Sequence, residues 1–116
     1  LKIRGNHSLI YSIFRNMIDN SINYAGRSTA INISNYLEDE KFVYFSYYDT
    51  GKGVDEKTLT RIFERFYRGD EGRTRESGAS GLGLAIVRNA VHVHRGEIQA
   101  KNRAGAGLEF LFTLHK

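Results

Sequence analysis

Phe42-Val43-Tyr44-Phe45-Ser46-Tyr47-Tyr48-Asp49-Thr50-Gly51-Lys52-Gly53 is the stretch that decides how this chain folds. β-Branched and aromatic side chains fill it from Phe42 to Tyr48, which suits a pleated, half-buried strand. Thr50-Gly51-Lys52-Gly53 breaks that pattern, so the carboxylate of Asp49 stands at a strand end beside glycines that let another group approach the backbone. Immediately upstream, Ile31, Ile33 and Leu37 alternate with polar neighbours, and Glu38-Asp39-Glu40-Lys41 reads as a turn. Two antiparallel strands are the simplest expectation. Further upstream, Leu9, Ile10, Ile13, Phe14, Met17, Ile18 and Ile22 recur at helical spacing and predict a helix to about Tyr24. Asn6 or Ser8 would cap it, and Gly26 suits a left-handed residue at its end. Residues 1 to 5 read as a strand remnant.

Downstream of the central run, a short helix is expected from about Asp55 to Ile62. Residues 69 to 80 hold glycines and almost nothing apolar, the composition of a mobile loop, and predict a lid. Leu82, Leu84, Ala85, Ile86, Val87, Ala90 and Val91 give a last helix a broad apolar face, ending near Arg95-Gly96. Glu97 to Asn102 and Leu108 to Leu114 predict two closing strands joined through the glycines at 105 and 107. The order helix, strand pair, helix, lid, helix, strand pair implies an α/β two-layer sandwich, one sheet with its helices on one face.

At 116 residues the chain is the size of one domain, and 41% hydrophobic with 26% charged residues predicts a packed core rather than disorder. With no cysteine, disulfides and thiolate metal sites are excluded. No run approaches the ~20 apolar residues a spanning helix needs, so the segment is expected to be soluble and without direct membrane contact. It opens Leu1-Lys2-Ile3 and enters an amphipathic pattern at once, which reads as a piece of a longer protein. The +4 net charge is spread along the chain, apart from Arg61, Arg65, Arg68, Arg73 and Arg75 among glycines. That arrangement points to small phosphates, and no nucleic acid is expected.

Asn16 and Asn20 lie four residues apart on one helix face. Their amides can offer oxygen to a hard cation such as Mg²⁺, which keeps several waters and takes its remaining ligands from phosphates; two solvated or cap-forming amides fit the same pattern. Asp49 can accept a hydrogen bond from an exocyclic amine such as adenine's, although Asp-x-Gly-x-Gly is equally a turn. In Gly78-Ala79-Ser80-Gly81-Leu82-Gly83-Leu84, glycines and a serine lead into a helix whose first amides would face an anion. A capped, tightly packed helix start is the other reading. Phe63-Glu64-Arg65-Phe66-Tyr67-Arg68 combines an aromatic anchor with arginines that can close over a ligand. His7, His92, His94 and His115 lack metal-ligand spacing.

Taken in order, these stretches resemble the N box (Asn16 to Tyr24), G1 box (Asp49 to Gly53), F box (Phe63 to Tyr67) and G2 box (Gly81 to Leu84) of the sensor histidine kinase catalytic domain. Gly105-Ala106-Gly107-Leu108-Glu109-Phe110 is similar to that family's last glycine pair. The resemblance spans nearly the whole chain as a single domain, residues 1 to 116. It implies a Bergerat-type mixed sheet with three main helices on one face and a flexible ATP lid. It implies ATP and Mg²⁺ as cofactors, with Asn20 binding the metal, Asn16 supporting phosphate or metal, and Asp49 reading the adenine amino group. Gly51 and Gly53 would admit the base, and Tyr24 would line it. Asn23, Phe66, Arg68, Ser80, Leu84 and the backbone of Gly81, Leu82 and Gly83 would complete the ATP site. Asn16, Asn20 and Arg68 would serve catalysis.

The resemblance further implies phosphoryl donation to a histidine on a separate dimerisation domain. Its partners would be that domain and a response regulator, within a homodimeric parent anchored in the inner membrane with this domain in the cytoplasm. Two departures stand out. Asn23 occupies a position where many members carry Lys or Arg, so Arg68, Arg73 or Arg75 would have to supply that charge. Leu108 replaces a small hydroxyl residue, which either loosens the adenine side or packs more apolar surface. The alternative is a degenerate nucleotide-binding module without phosphotransfer. Gyrase-type, mismatch-repair and heat-shock ATPases hydrolyse with a first-helix glutamate, where this chain has Phe14, Arg15 and Asp19.

Overall fold

The computed structural model describes residues 5–24, 29–64, 83–103 and 107–116, with Tyr24 described by its backbone alone. Among these, the elements run α1 (His7–Tyr24), β1 (Ile31–Glu38), β2 (Phe42–Asp49), α2 (Glu56–Thr60), α3 (Gly83–Val93), β3 (Ile98–Asn102) and β4 (Leu108–His115). The sheet order is β1-β2-β4-β3. Every pairing among the described residues is antiparallel. The physical reason is local: β1–β2 and β3–β4 are joined by short connections, which return the chain antiparallel, whereas a parallel pair needs a crossover. The strand remnant expected at residues 1 to 5 and the left-handed Gly26 lie outside the described residues, save Gly5.

Period-two burial sets the layers. Val43, Phe45, Tyr47 and Asp49 of β2 are buried towards the helices, the first three opposite Leu114, Phe112 and Phe110 of β4, where Leu108 is buried too. The rings of Phe45 and Phe112 stack at 5.1 Å, and Phe14 of α1 meets both edge-on at 6.0 and 5.8 Å. On α1, Ile13 and Met17 are fully buried one turn apart, against Leu84, Val87, Ala90 and Val91 of α3. Phe63 closes the core at 6.0 Å from Phe110.

Local chemistry fixes the ends. Asn6 is the N-cap of α1, its Oδ1 accepting from the Leu9 N–H at 3.0 Å. The β1–β2 turn is held by Asp39, whose Oδ1 accepts from the Lys41 and Phe42 N–H groups at 2.9 and 2.7 Å. These bonds, Phe42 foremost, lower the Asp39 pKa. Asp55 caps α2 through the Thr58 N–H at 2.7 Å. At the end of α3, Arg95 takes the left-handed conformation (φ 59°), with Arg95 N–H on His92 and Gly96 N–H on Val91, both 2.9 Å. Gly96 is needed for space instead, since a Cβ there would run into the Thr113 carbonyl.

β1 departs from expectation. Its alternating Ile31, Ile33 and Leu37 remain exposed, because β1 is an edge strand. A register shift between Asn35 and Leu37 sets Ile31 and Ile33 opposite Asp49 and Tyr47, but Leu37 opposite Tyr44 on the other face. Asn35 stabilises that irregularity, its Nδ2 donating to the carbonyls of Leu37 and Tyr44 at 3.0 and 2.9 Å.

Candidate functional site

The site is organised along α1. Ser21 continues the buried stripe of Ile13 and Met17 by one more turn and is 2% exposed. A hydroxyl so placed needs a partner, and it finds the strand-end carboxylate, with Ser21 Oγ donating to Asp49 Oδ2 at 2.9 Å. The other oxygen, Oδ1, accepts the Gly51 N–H at 3.0 Å and the Leu108 N–H at 3.2 Å. Asp49 is therefore 3% exposed yet held by a helix, its own loop and the start of β4. Tyr47, two residues earlier on the same face, brings its hydroxyl to 2.7 Å from Ser21 Oγ and 3.0 Å from the Met17 carbonyl. Burial first, and then the neighbouring Asp49 charge, push the Tyr47 phenol up to about 12, against a lowering by Ser21.

The glycine loop after Asp49 is anchored on both flanks. Thr50 N–H bonds the Ala30 carbonyl, and Thr50 Oγ1 accepts from the Ala30 N–H at 2.9 Å. Gly51 is buried. Gly53 has φ +71°, a left-handed conformation that glycine adopts without steric cost. Asn102 clamps the next residue, its Oδ1 accepting from Val54 N–H at 3.0 Å and its Nδ2 donating to Val54 O at 2.6 Å. Behind the loop Gly107 has φ +95°, and a Cβ there would collide with the Asp49 carbonyl. This close approach explains the last glycine position. Leu108 is 3% exposed in the core, so its side chain packs apolar surface while its N–H holds Asp49.

One to two turns earlier on α1, Asn16 is half-buried and its Nδ2 donates to the Ser12 carbonyl at 2.8 Å. Its Oδ1 lies against the first residue of α3, 3.2 Å from where a Gly83 Cβ would stand. Asn16 thus joins the helix start that the glycine-rich segment was predicted to open. Asn20, half-buried between Asn16 and Ser21, has no hydrogen-bond partner among the described residues. Asn23 is exposed. Asp19 is ion-paired with Arg15 at 3.3 Å on the exposed surface. Five residues separate Asn16 from Ser21, so a rise of about 1.5 Å per residue sets the two anchor points about 7–8 Å apart along the helix.

Of the predicted site residues, Asn16, Asp49, Gly51, Gly53 and Gly83 are bound into this arrangement by direct contact, and Asn20 lies between its two ends. Leu84 is in the core, 8% exposed, which leaves its backbone alone for a ligand. Phe66, Arg68, Ser80, Gly81 and Leu82, the lid at residues 69 to 80, Arg73, Arg75 and the Tyr24 side chain lie outside the described residues. Sequence reasoning missed Ser21, Tyr47 and Asn102. Ser21 alone carried a signal, a polar residue on a stripe of buried apolar ones.

The model of the family described as "Histidine kinase-, DNA gyrase B-, and HSP90-like ATPase" matches residues 5–116. Sensor histidine kinase WalK of Bacillus subtilis (strain 168) is 38% identical over 106 residues, covering 90% of this chain and 17% of its own length. Sensor-like histidine kinase SenX3 of Mycobacterium tuberculosis (strain ATCC 25618 / H37Rv) is 34% identical over 114 residues, covering 98% and 28%. Among solved structures, full-length ShkA in complex with AMPPNP is similar with a TM-score of 0.72 at 28% identity, over 91% of this chain and 21% of that one. The chain therefore spans less than a third of the length of these three relatives.

Proposed function

We propose, since this chain belongs to the histidine kinase-, DNA gyrase B- and HSP90-like ATPase family, on its sensor histidine kinase side, that it binds ATP with Mg²⁺ and donates the γ-phosphoryl group to a histidine on a separate dimerisation domain. The observation that carries this reading is the anchored Asp49 carboxylate. Three protein donors hold it in place, and it keeps acceptor capacity for an exocyclic amine. Gly51 and Gly53 would let such a base approach the loop backbone, and Tyr24 would be the residue to line it. That ShkA was solved with AMPPNP, an ATP analogue, supports the same choice of nucleotide.

The residues also suit a hard cation. Asn20 offers an amide oxygen with no partner among the described residues, and Mg²⁺ commonly takes one or two protein ligands with waters and phosphates filling the rest. When bound, the ion would neutralise charge on the transferring phosphoryl group. Asn16 would direct its Oδ1 towards the phosphate end, because its Nδ2 is committed to Ser12. The first amides of α3 at Gly83 and Leu84, with Ser80, Gly81 and Leu82 before them, would receive phosphate oxygens. Arg68, helped by Arg73 or Arg75, would supply the charge that Asn23 lacks, and Phe66 would anchor the segment carrying it. Positioning and charge neutralisation are most of what phosphoryl transfer asks of a protein. Asp19, the one acid on α1, is engaged by Arg15, which favours the kinase reading over hydrolysis by a first-helix base. The parent would be a membrane-anchored homodimer passing phosphate to a response regulator, with this domain in the cytoplasm.

Incubation with labelled ATP tests the reading. The chain alone should remain unlabelled, and an added phosphoacceptor domain should acquire acid-labile phosphate. Acid-labile label on the chain itself would contradict it. Nucleotide binding without transfer to any supplied domain would favour the second reading, a regulatory module, for which the uncharged and exposed Asn23 speaks.

A further inference from the structure

The contacts around Asp49 define where the protons lie. Met17 O, Tyr47 OH, Ser21 Oγ and Asp49 Oδ2 form a line with separations of 3.0, 2.7 and 2.9 Å, and the two hydroxyls supply two protons. A 2.7 Å approach of two hydroxyl oxygens requires a proton between them. Because Ser21 donates to Oδ2, that proton is Tyr47's, with the Met17 carbonyl beside it as a second acceptor. The direction is Tyr47 to Ser21 to Asp49. A carboxylate offers about four lone-pair sites. The Gly51 and Leu108 N–H groups take those of Oδ1 and Ser21 takes one of Oδ2, leaving one on Oδ2.

We propose that Ser21, oriented by Tyr47, is a positioning residue that fixes which lone pair of Asp49 is offered to a purine, and so sets a preference for a 6-amino over a 6-oxo base. This rests on the nucleotide reading above and deepens it. The remaining lone pair can only accept. A 6-amino group presents N–H to it, whereas a 6-oxo group presents an oxygen that it repels. Neither Ser21 nor Tyr47 needs to touch the nucleotide. Without the Ser21 hydroxyl, Oδ2 has two unassigned lone pairs and the Tyr47 proton turns to Met17, so the acceptor direction is no longer unique.

The test compares ATP with inosine triphosphate, both with Mg²⁺, by calorimetric titration of the 116-residue chain. Ser21→Ala should weaken ATP about ten-fold, the size of one hydrogen bond to a charged group, while changing inosine triphosphate less than about two-fold. Tyr47→Phe should act in the same direction by about three-fold, because Ser21 keeps its own proton but loses its orienting donor. Ser21→Thr, which retains the hydroxyl, should restore the ratio. A merely structural role would move both nucleotides together, so an ATP to inosine triphosphate ratio unchanged from wild type in both Ser21→Ala and Tyr47→Phe overturns the proposal. Should Ser21→Ala fail to fold, as thermal unfolding would reveal, Tyr47→Phe decides alone. No ATP binding by the wild-type chain would be a different failure, overturning the nucleotide reading and this proposal with it.

Discussion

The two ends of the site are built on opposite principles. At the Asp49 end three polar side chains are buried and engaged: Ser21, Tyr47 and Asp49 bond one another and the backbone of α1, the glycine loop and β4. At the Asn16–Asn20–Asn23 end the amides grade from half-buried to exposed, and among the described residues Asn16 bonds only its own helix and Asn20 has no partner. The difference teaches where preorganisation is possible. A rigid base with a fixed donor pattern can be met by a carboxylate whose orientation is set in advance. An ion with its waters and a flexible phosphate chain is better met by side chains that are not already committed.

The contrast breaks most sharply at Gly107. A Gly107→Ala change puts a side chain at φ +95° and its Cβ into the Asp49 carbonyl, and should cost about 3 kcal/mol or more in denaturant unfolding. A loss below about 1 kcal/mol would mean that the Asp49 end is not rigid. Alkaline titration probes the same end. Tyr47's pKa is raised when folded, so its contribution is complete below the unfolded tyrosine value near 10 and is lost as pH rises towards about 12. Wild type should lose about 2–3 kcal/mol across that window that Tyr47→Phe does not. Parallel stability curves for the two proteins would refute the assignment.

Asn102→Ala removes the two-bond clamp on Val54 and should cost about 1 kcal/mol. Amide exchange should rise between Gly51 and Val54 and stay unchanged in α1. Smallest is Asn20→Ala, expected within about 0.5 kcal/mol of wild type in stability, since it breaks no hydrogen bond among the described residues and alanine favours helix. A large loss there would show the phosphate end to be structurally committed after all.

Periodicity made the scaffold legible. The apolar stripe of α1, the buried alternation of β2 and β4 and the capping asparagine at Asn6 each follow from local rules, and the strand-end position of Asp49 came with them. Contacts distant in sequence were harder to read. Ser21 to Asp49 spans 28 positions and Val54 to Asn102 spans 48, and neither serine nor asparagine announces a partner. Tyr47 reads as a good strand former, which hides its hydroxyl's role. β1 misled because alternation predicts a covered face, whereas an edge strand with a register shift exposes both.

One titration addresses the central claim, that the anchored Asp49 carboxylate and the Asn20 amide serve a single nucleotide: ATP binding, with and without Mg²⁺, to wild type, Asp49→Asn and Asn20→Ala. Asp49→Asn should weaken ATP by about 100-fold whether or not Mg²⁺ is present, because an amide N–H then faces the base's own donor. Asn20→Ala should weaken ATP about ten-fold with Mg²⁺ and hardly at all without it. Unchanged ATP affinity in Asp49→Asn, or an Asn20→Ala loss of equal size with and without the ion, would contradict it.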